Sequence, residues 1–325
     1  MTIMTNAPQG STSKGEGIAT TSHLPRLKAA LVTASPKGGS GKTETADCLE
    51  AALSLSGLKV GLVCVDDGNR GLLRRVGKEN VITLDWSASA TSAPEWISRR
   101  AEDYDVIIFD LGAGIDSSDL PIMSFLGSAW RNLSDQGVQI IVCAVVSTNA
   151  HTSAFVERLE RKYEDLGKVV PVLNNQDGSR NFPEGIRERA EEVMQLRMLP
   201  PGFQMVRLAR KERLSDVIAN PWQGFSKASA FMGHRAARLA QTSVLSNLID
   251  SSQLERFGFT NGNMPQLQYK VRDLKGATDG GIEANARLTE SYFRLLDRSV
   301  TPEDAYEAVV EHQSRHRVYK QILGT

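Results

Sequence analysis

The sequence predicts a doubly wound α/β fold: a mostly parallel sheet with helices on both faces, followed by a helical C-terminal extension. Three observations lead there. Short apolar runs alternate with amphipathic segments along most of the chain. Two runs, Asp105 to Asp110 (DVIIFD) and Val138 to Val146 (VQIIVCAVV), are almost unbroken, as strands covered on both sides must be. A glycine-rich loop joins the first apolar run to the first amphipathic one.

The elements follow in order. Ala29 to Ser35 reads as a strand, and Thr43 to Ser56 as a helix with Ala46, Leu49 and Leu53 on one face. Lys59 to Asp66 is a second strand and Val81 to Trp86 a shorter one. After the two apolar runs, Val169 to Leu173 and Phe203 to Leu208 look like two more. Helices are expected near 116–135, 151–166, 184–197 and 228–250. Residues 1–27, rich in Ser, Thr and Gly, read as a disordered tail. Residues 28–250 form the folded domain and 251–325 the extension, with helix candidates at 283–297 and 302–322. The second candidate starts with Thr301 as N-cap, Pro302, and then Glu303 and Asp304 in its first turn.

Composition narrows the classes. The 325 residues are 41% hydrophobic and 23% charged with zero formal net charge, an ordinary globular balance that argues for neither nucleic acid nor membrane. Cys48, Cys64 and Cys143 are odd in number and not at metal-ligand spacing. No disulfide framework or zinc site is expected, and a reducing cytoplasm fits. No run of about 18 apolar residues and no secretory leader is apparent.

The chemistry lies in Ser35-Pro36-Lys37-Gly38-Gly39-Ser40-Gly41-Lys42-Thr43, set between a strand and a helix. Glycines let backbone N–H groups turn inward around an anion, and the helix N-terminus adds partial positive charge. In such a loop Lys42 reaches the terminal phosphates and the Thr43 hydroxyl ligates Mg²⁺.

The second lysine, Lys37, makes the pattern Lys-Gly-Gly-x-Gly-Lys-Thr. It resembles the deviant Walker A box of the ParA/MinD family of P-loop ATPases. The resemblance implies ATP and Mg²⁺ as cofactors, with Lys37, Gly38, Gly39, Ser40, Gly41, Lys42 and Thr43 around the phosphates. It implies a homodimer on ATP binding, with Lys37 reaching the partner's phosphates as an arginine finger does. Lys59 to Asp66 resembles the family's second strand, which ends Val-Asp-x-Asp. Asp66 then orients the attacking water, Cys64 replaces the first Asp, and Asp67 follows directly. Tyr104 to Gly114 resembles the Walker B strand and switch II. Asp110 then holds Mg²⁺ with Thr43, and the Gly112 amide senses the terminal phosphate. Val172-Leu173-Asn174-Asn175 resembles the strand whose terminal Asn contacts the base. Asn174 to Asp177 is also similar to a guanine-reading Asn-Lys-x-Asp without its lysine, which leaves GTP as a second reading behind ATP.

One position departs from the family. Glu44 stands where a Thr or Ser faces the α-phosphate. A carboxylate there is repelled, so Glu44 must point away or find a cation.

Arg210-Lys211-Glu212-Arg213-Leu214-Ser215-Asp216 resembles a stretch of the ParA branch that carries a DNA-contacting arginine, with Ala209 in place of its leading proline. Arg207, Arg210, Lys211 and Arg213 are therefore expected to bind DNA without sequence preference. The expected function is a ParA-type ATPase switch in plasmid or chromosome partition or cargo positioning. Its expected partner is a ParB-like or other activating protein, and its place the cytoplasm in association with the nucleoid. A MinD-like regulator acting on a membrane or protein assembly is the alternative. The last helix has a short, broken apolar face, which favours docking on the protein over lying on a membrane. His312 and His316 share a helix face, but with no third ligand nearby they read as solvated residues.

Overall fold

The computed structural model describes residues 27–65, 70–147, 152–175, 182, 184–187, 194–196, 202–240, 242–250, 252–253 and 280–296. Asp66, Asp67, Gln176, Asp177, the tail through residue 26 and the predicted helix 302–322 with its two histidines lie outside them.

Seven strands form one sheet in the order β3-β2-β4-β1-β5-β6-β7, and every pair is parallel. They are β1 (Ala29–Ala34), β2 (Val60–Val65), β3 (Ile82–Thr83), β4 (Val106–Leu111), β5 (Gln139–Val146), β6 (Lys168–Asn174) and β7 (Met194–Leu196). The central strand β1 is buried on both faces: Ala29 and Leu31 enter one core, while Ala30, Val32 and Ala34 enter the other. That double burial is why the central strands lack polar–apolar alternation.

One face carries α1 (Lys42–Leu55), α7 (Phe203–Arg210), α8 (Leu214–Ala219) and α9 (Ser226–Ala240). The other carries α3 (Ala93–Ala101), α4 (Pro121–Asp135) and α5 (Thr152–Tyr163). Two short helices, α2 (Gly71–Val76) and α6 (Glu184–Arg187), lie in connections. The last described helix, α10 (Gly280–Leu296), sends Tyr292 and Phe293 into the α1-side core. Residues 280–296 of the predicted extension thus share the core of the sheet domain.

Three expectations change. Phe203 to Leu208 is helix α7 and not a strand. Phe203, Val206 and Arg207 are buried at helical spacing while Met205 and Leu208 are exposed, so the period is 3.6 and not 2. Of the expected helix 184–197, the described residues form α6 and the edge strand β7. The expected strand Val81 to Trp86 shrinks to Ile82–Thr83, paired with Val63 and Cys64.

In the strand order, β4 and β5 flank β1 on opposite sides, so the chain reverses direction across the sheet at this point. The crevice at the carboxyl ends of such strands is where open α/β sheets bind ligands. The loop Ser35–Gly41 lies there.

Candidate functional site

The loop takes its shape from two glycines in the left-handed region, Gly39 (φ 73°) and Gly41 (φ 98°), which a side chain would strain. Gly41 is the N-cap of α1, and no side chain caps the helix. The unsatisfied amides of that first turn are what an anion at this end would accept. Lys42 is buried, and its ammonium donates to the Lys37 carbonyl at 3.0 Å, across the loop. Ser40 Oγ donates to the same carbonyl at 3.1 Å. Lys37 itself is exposed at the tip.

Behind the loop stands Asp110, the last-but-one residue of β4 and buried. Thr43 Oγ1 donates to its Oδ2 at 2.8 Å, and Thr33 Oγ1 donates to its Oδ1 at 2.9 Å. Parallel pairing of β1 with β4 places Thr33 opposite Asp110 in register. Thr33, a polar residue inside an apolar strand, was missed in the sequence; that anomaly was its signal. Burial pushes the Asp110 carboxyl up to about 6, against the Thr43 and Thr33 hydrogen bonds and the Lys42 ammonium that pull it down.

The Thr43 hydroxyl and Asp110 carboxylate are hard oxygen donors converging on one point, which fits Mg²⁺. Among the described residues no group of three or more His, Cys, Asp or Glu could hold a metal. A site of one carboxylate and one hydroxyl suits an ion that keeps waters and phosphate oxygens, not one that needs a full protein cage.

The raised Asp110 pKa has a measurable consequence in the metal-free protein. The unfolded carboxyl ionises near 3.8 and the folded one near 6, so folding becomes harder as pH rises through this window. At about 1.4 kcal/mol per pKa unit the difference is on the order of 3 kcal/mol at pH 7.5. Asp110→Asn should therefore melt higher than the parent at pH 7.5 without metal and nearly level with it below pH 4. A melting difference independent of pH would contradict the buried carboxylate.

Glu44 answers the conflict raised by its sequence position. Its carboxylate lies within the protein among Arg75 of α2, Arg235 of α9 and Gln204 Nε2 of α7, the last at 2.7 Å. Burial favours its neutral form, but Arg235 and Arg75 outweigh this and hold it at about 2. The expected phosphate contact is replaced by an internal ion cluster. One turn on, Asp47 meets Arg207 (Nη2 to Oδ1, 2.9 Å), and the next turn brings Glu50 to Ser215 Oγ at 2.7 Å and Arg213 at 3.7 Å.

This cluster corrects the DNA-binding expectation. Arg207 is 0% exposed and paired with Asp47, so it cannot meet a phosphate. Arg213 is turned inward, donating to the Val60 and Asn80 carbonyls at 3.3 and 3.4 Å. Lys211 is exposed and Arg210 half-buried. Two further expectations change. The Gly112 N–H points to the Val65 carbonyl at 3.2 Å and not toward the loop. The same carbonyl accepts the Trp86 indole N–H at 3.0 Å. Asn174 donates its amide to the Ser40 carbonyl at 2.8 Å, so it braces the loop, with that N–H unavailable to a base.

Gly71 was not singled out in the sequence. It opens α2 directly over Thr43, and a β-carbon there would sit 2.9 Å from Thr43 Oγ1. Nothing local in the sequence marks this approach, since residues 43 and 71 belong to separate elements.

No protein-family model matches the chain, and no curated protein sequence does. Similar solved structures include ATPases of the ParA/MinD family. The septum site-determining protein MinD from Pyrococcus horikoshii OT3, complexed with Mg-ADP, is 20% identical over 65% of this chain and 94% of its own, with TM-score 0.45. A ParA family ATPase from Chlorobium tepidum TLS is 15% identical over 63% and 96%, with TM-score 0.43. A nucleotide-binding protein from Archaeoglobus fulgidus, in complex with ADP, is 16% identical over 59% and 90%, with TM-score 0.42.

Proposed function

We propose that this chain is a Mg²⁺-dependent ATPase switch of the ParA type: ATP closes a homodimer, the dimer binds DNA without sequence preference, and a partner protein stimulates hydrolysis. The convergence of Lys42, Thr43 and Asp110 on one glycine-shaped loop supports it most. The loop amides and Lys42 hold the β- and γ-phosphates. Thr43 and Asp110 hold Mg²⁺, with Thr33 fixing the second Asp110 oxygen. An Mg²⁺ ion held there would supply charge neutralisation at the transferring phosphoryl group. Lys37, exposed at the loop tip, is free to reach a partner protomer's phosphates. In this reading Asp66 orients the attacking water.

The DNA surface reduces to Lys211, because the Nε and Nη2 of Arg210 are buried. With ATP at low salt, the parent should shift duplexes of unrelated sequence in a gel. Lys211→Glu should weaken all of them alike and flatten the salt dependence of log K by about 0.9 for each lost phosphate contact. A normal ATP-bound dimer that shifts no DNA would favour the second reading, a regulator that acts on a protein assembly. The exposed Met205 (62%) and Leu208 (40%) on α7, beside Lys211, are the observation on its side. No described helix is long and apolar enough to cross a membrane.

A further inference from the structure

Helix α2 meets α1 along one face. Gly71 faces Thr43, where a β-carbon would sit 2.9 Å from the hydroxyl, and one turn later Arg75 meets Glu44 and Asp47 Oδ2, the latter at 3.4 Å. Gly71 and Arg75 are four residues apart, so they share that face. The Glu44 end of the pair is itself fixed, because Arg235 and Gln204 grip the same carboxylate from α9 and α7. Its side chain is 3% exposed and that of Arg75 21%. An ion pair tied to two further elements holds one geometry, whereas a surface pair samples many.

We infer that the Arg75–Glu44 pair is a positioning device for the metal site: it docks α2 so that the Gly71 backbone holds the Thr43 hydroxyl on its Asp110 partner. The residue that departs from the family's phosphate-facing Thr or Ser thus serves the same site from behind. In this inference Arg75 and Glu44 act through Thr43 and not on the nucleotide. This inference rests on the Mg²⁺–ATP reading and adds to it the residues that set metal affinity.

Partners that orient metal ligands typically change metal affinity or activity by about 10–100-fold when removed. The test titrates Mg²⁺ into protein carrying a fluorescent ATP analogue and reads nucleotide affinity with Mg²⁺ and with EDTA, supported by Mn²⁺ binding measured by electron paramagnetic resonance. Arg75→Ala should raise the Mg²⁺ requirement by about tenfold or more while leaving affinity in EDTA at the parent value. Arg75→Lys, which keeps the charge, should recover part of the loss. Where Arg75→Ala does not fold, Gly71→Ala carries the test. It leaves the ion cluster intact and displaces the Thr43 hydroxyl directly, so the same shift is expected. A folded Arg75→Ala or Gly71→Ala with the parent's Mg²⁺ and Mn²⁺ dependence would overturn the inference. A parent protein whose nucleotide affinity ignores Mg²⁺ would instead overturn the ATPase reading beneath it.

Discussion

Asp47→Ala should strip this protein of much of its stability. Both side chains of the Asp47–Arg207 pair are 0% exposed. Arg207 Nη2 also donates to the Glu212 carbonyl at 3.1 Å, but its Nε has no partner and its charge is balanced chiefly by Asp47. Removing the carboxylate leaves a buried guanidinium uncompensated and releases Arg75 from one contact, which costs about 3–5 kcal/mol. Domains of this size are stable by only about 5–15 kcal/mol. At about 2–4 °C per kcal/mol, the melting temperature should fall by roughly 6–20 °C. The double variant Asp47→Leu with Arg207→Met, apolar on both sides, should recover most of that loss. Thermal melts of the three proteins decide the matter: a single variant within about 1 kcal/mol of the parent would mean that water reaches the pair.

The second large effect concerns ligand binding. Lys42→Ala removes the buried ammonium that bridges the loop to the Lys37 carbonyl, and with it the cation proposed for the β- and γ-phosphates. Truncating one partner of a buried charge pair costs about 2–5 kcal/mol, or roughly 30- to several-thousand-fold in affinity. Titration of a fluorescent ATP analogue should show that loss for Lys42→Ala, while Lys37→Ala, altered at an exposed tip, should bind a single nucleotide nearly as the parent does. Equal binding by parent and Lys42→Ala would remove the loop from the site.

The parts legible in the sequence were those written in neighbouring residues. The loop Lys37 to Thr43, the β4 carboxylate Asp110 and the central strands announce themselves by spacing and by unbroken apolar runs. What could not be read depends on partners far along the chain. Arg207 looks like a surface cation until Asp47, 160 positions away, is seen to meet it. Phe203 to Leu208 alternates well enough to pass for a strand, and only its packing against the α1 face decides for a helix. Glu44 announced that it needed a cation but not which one. The Gly112 amide and the Asn174 side chain were assigned to ligand atoms, whereas the sheet ends and the loop itself take them up in this structure.

The acidic face of α1 also governs when the chain can finish folding. Arg75 follows Glu44 by only 31 residues, but the other arginines that neutralise this face come much later: Arg207 follows Asp47 by 160 residues and Arg235 follows Glu44 by 191. At about 5–20 residues per second, the wait for Arg235 is on the order of 10–40 s. For most of that interval Arg75 alone is present for three carboxylates, so the helix cannot fully bury this face and must stay hydrated or be sheltered. The glycine-rich loop is encoded near the start of the polypeptide, yet its supporting helix is completed only when α9 emerges, which makes the loop end of the sheet among the last parts to mature.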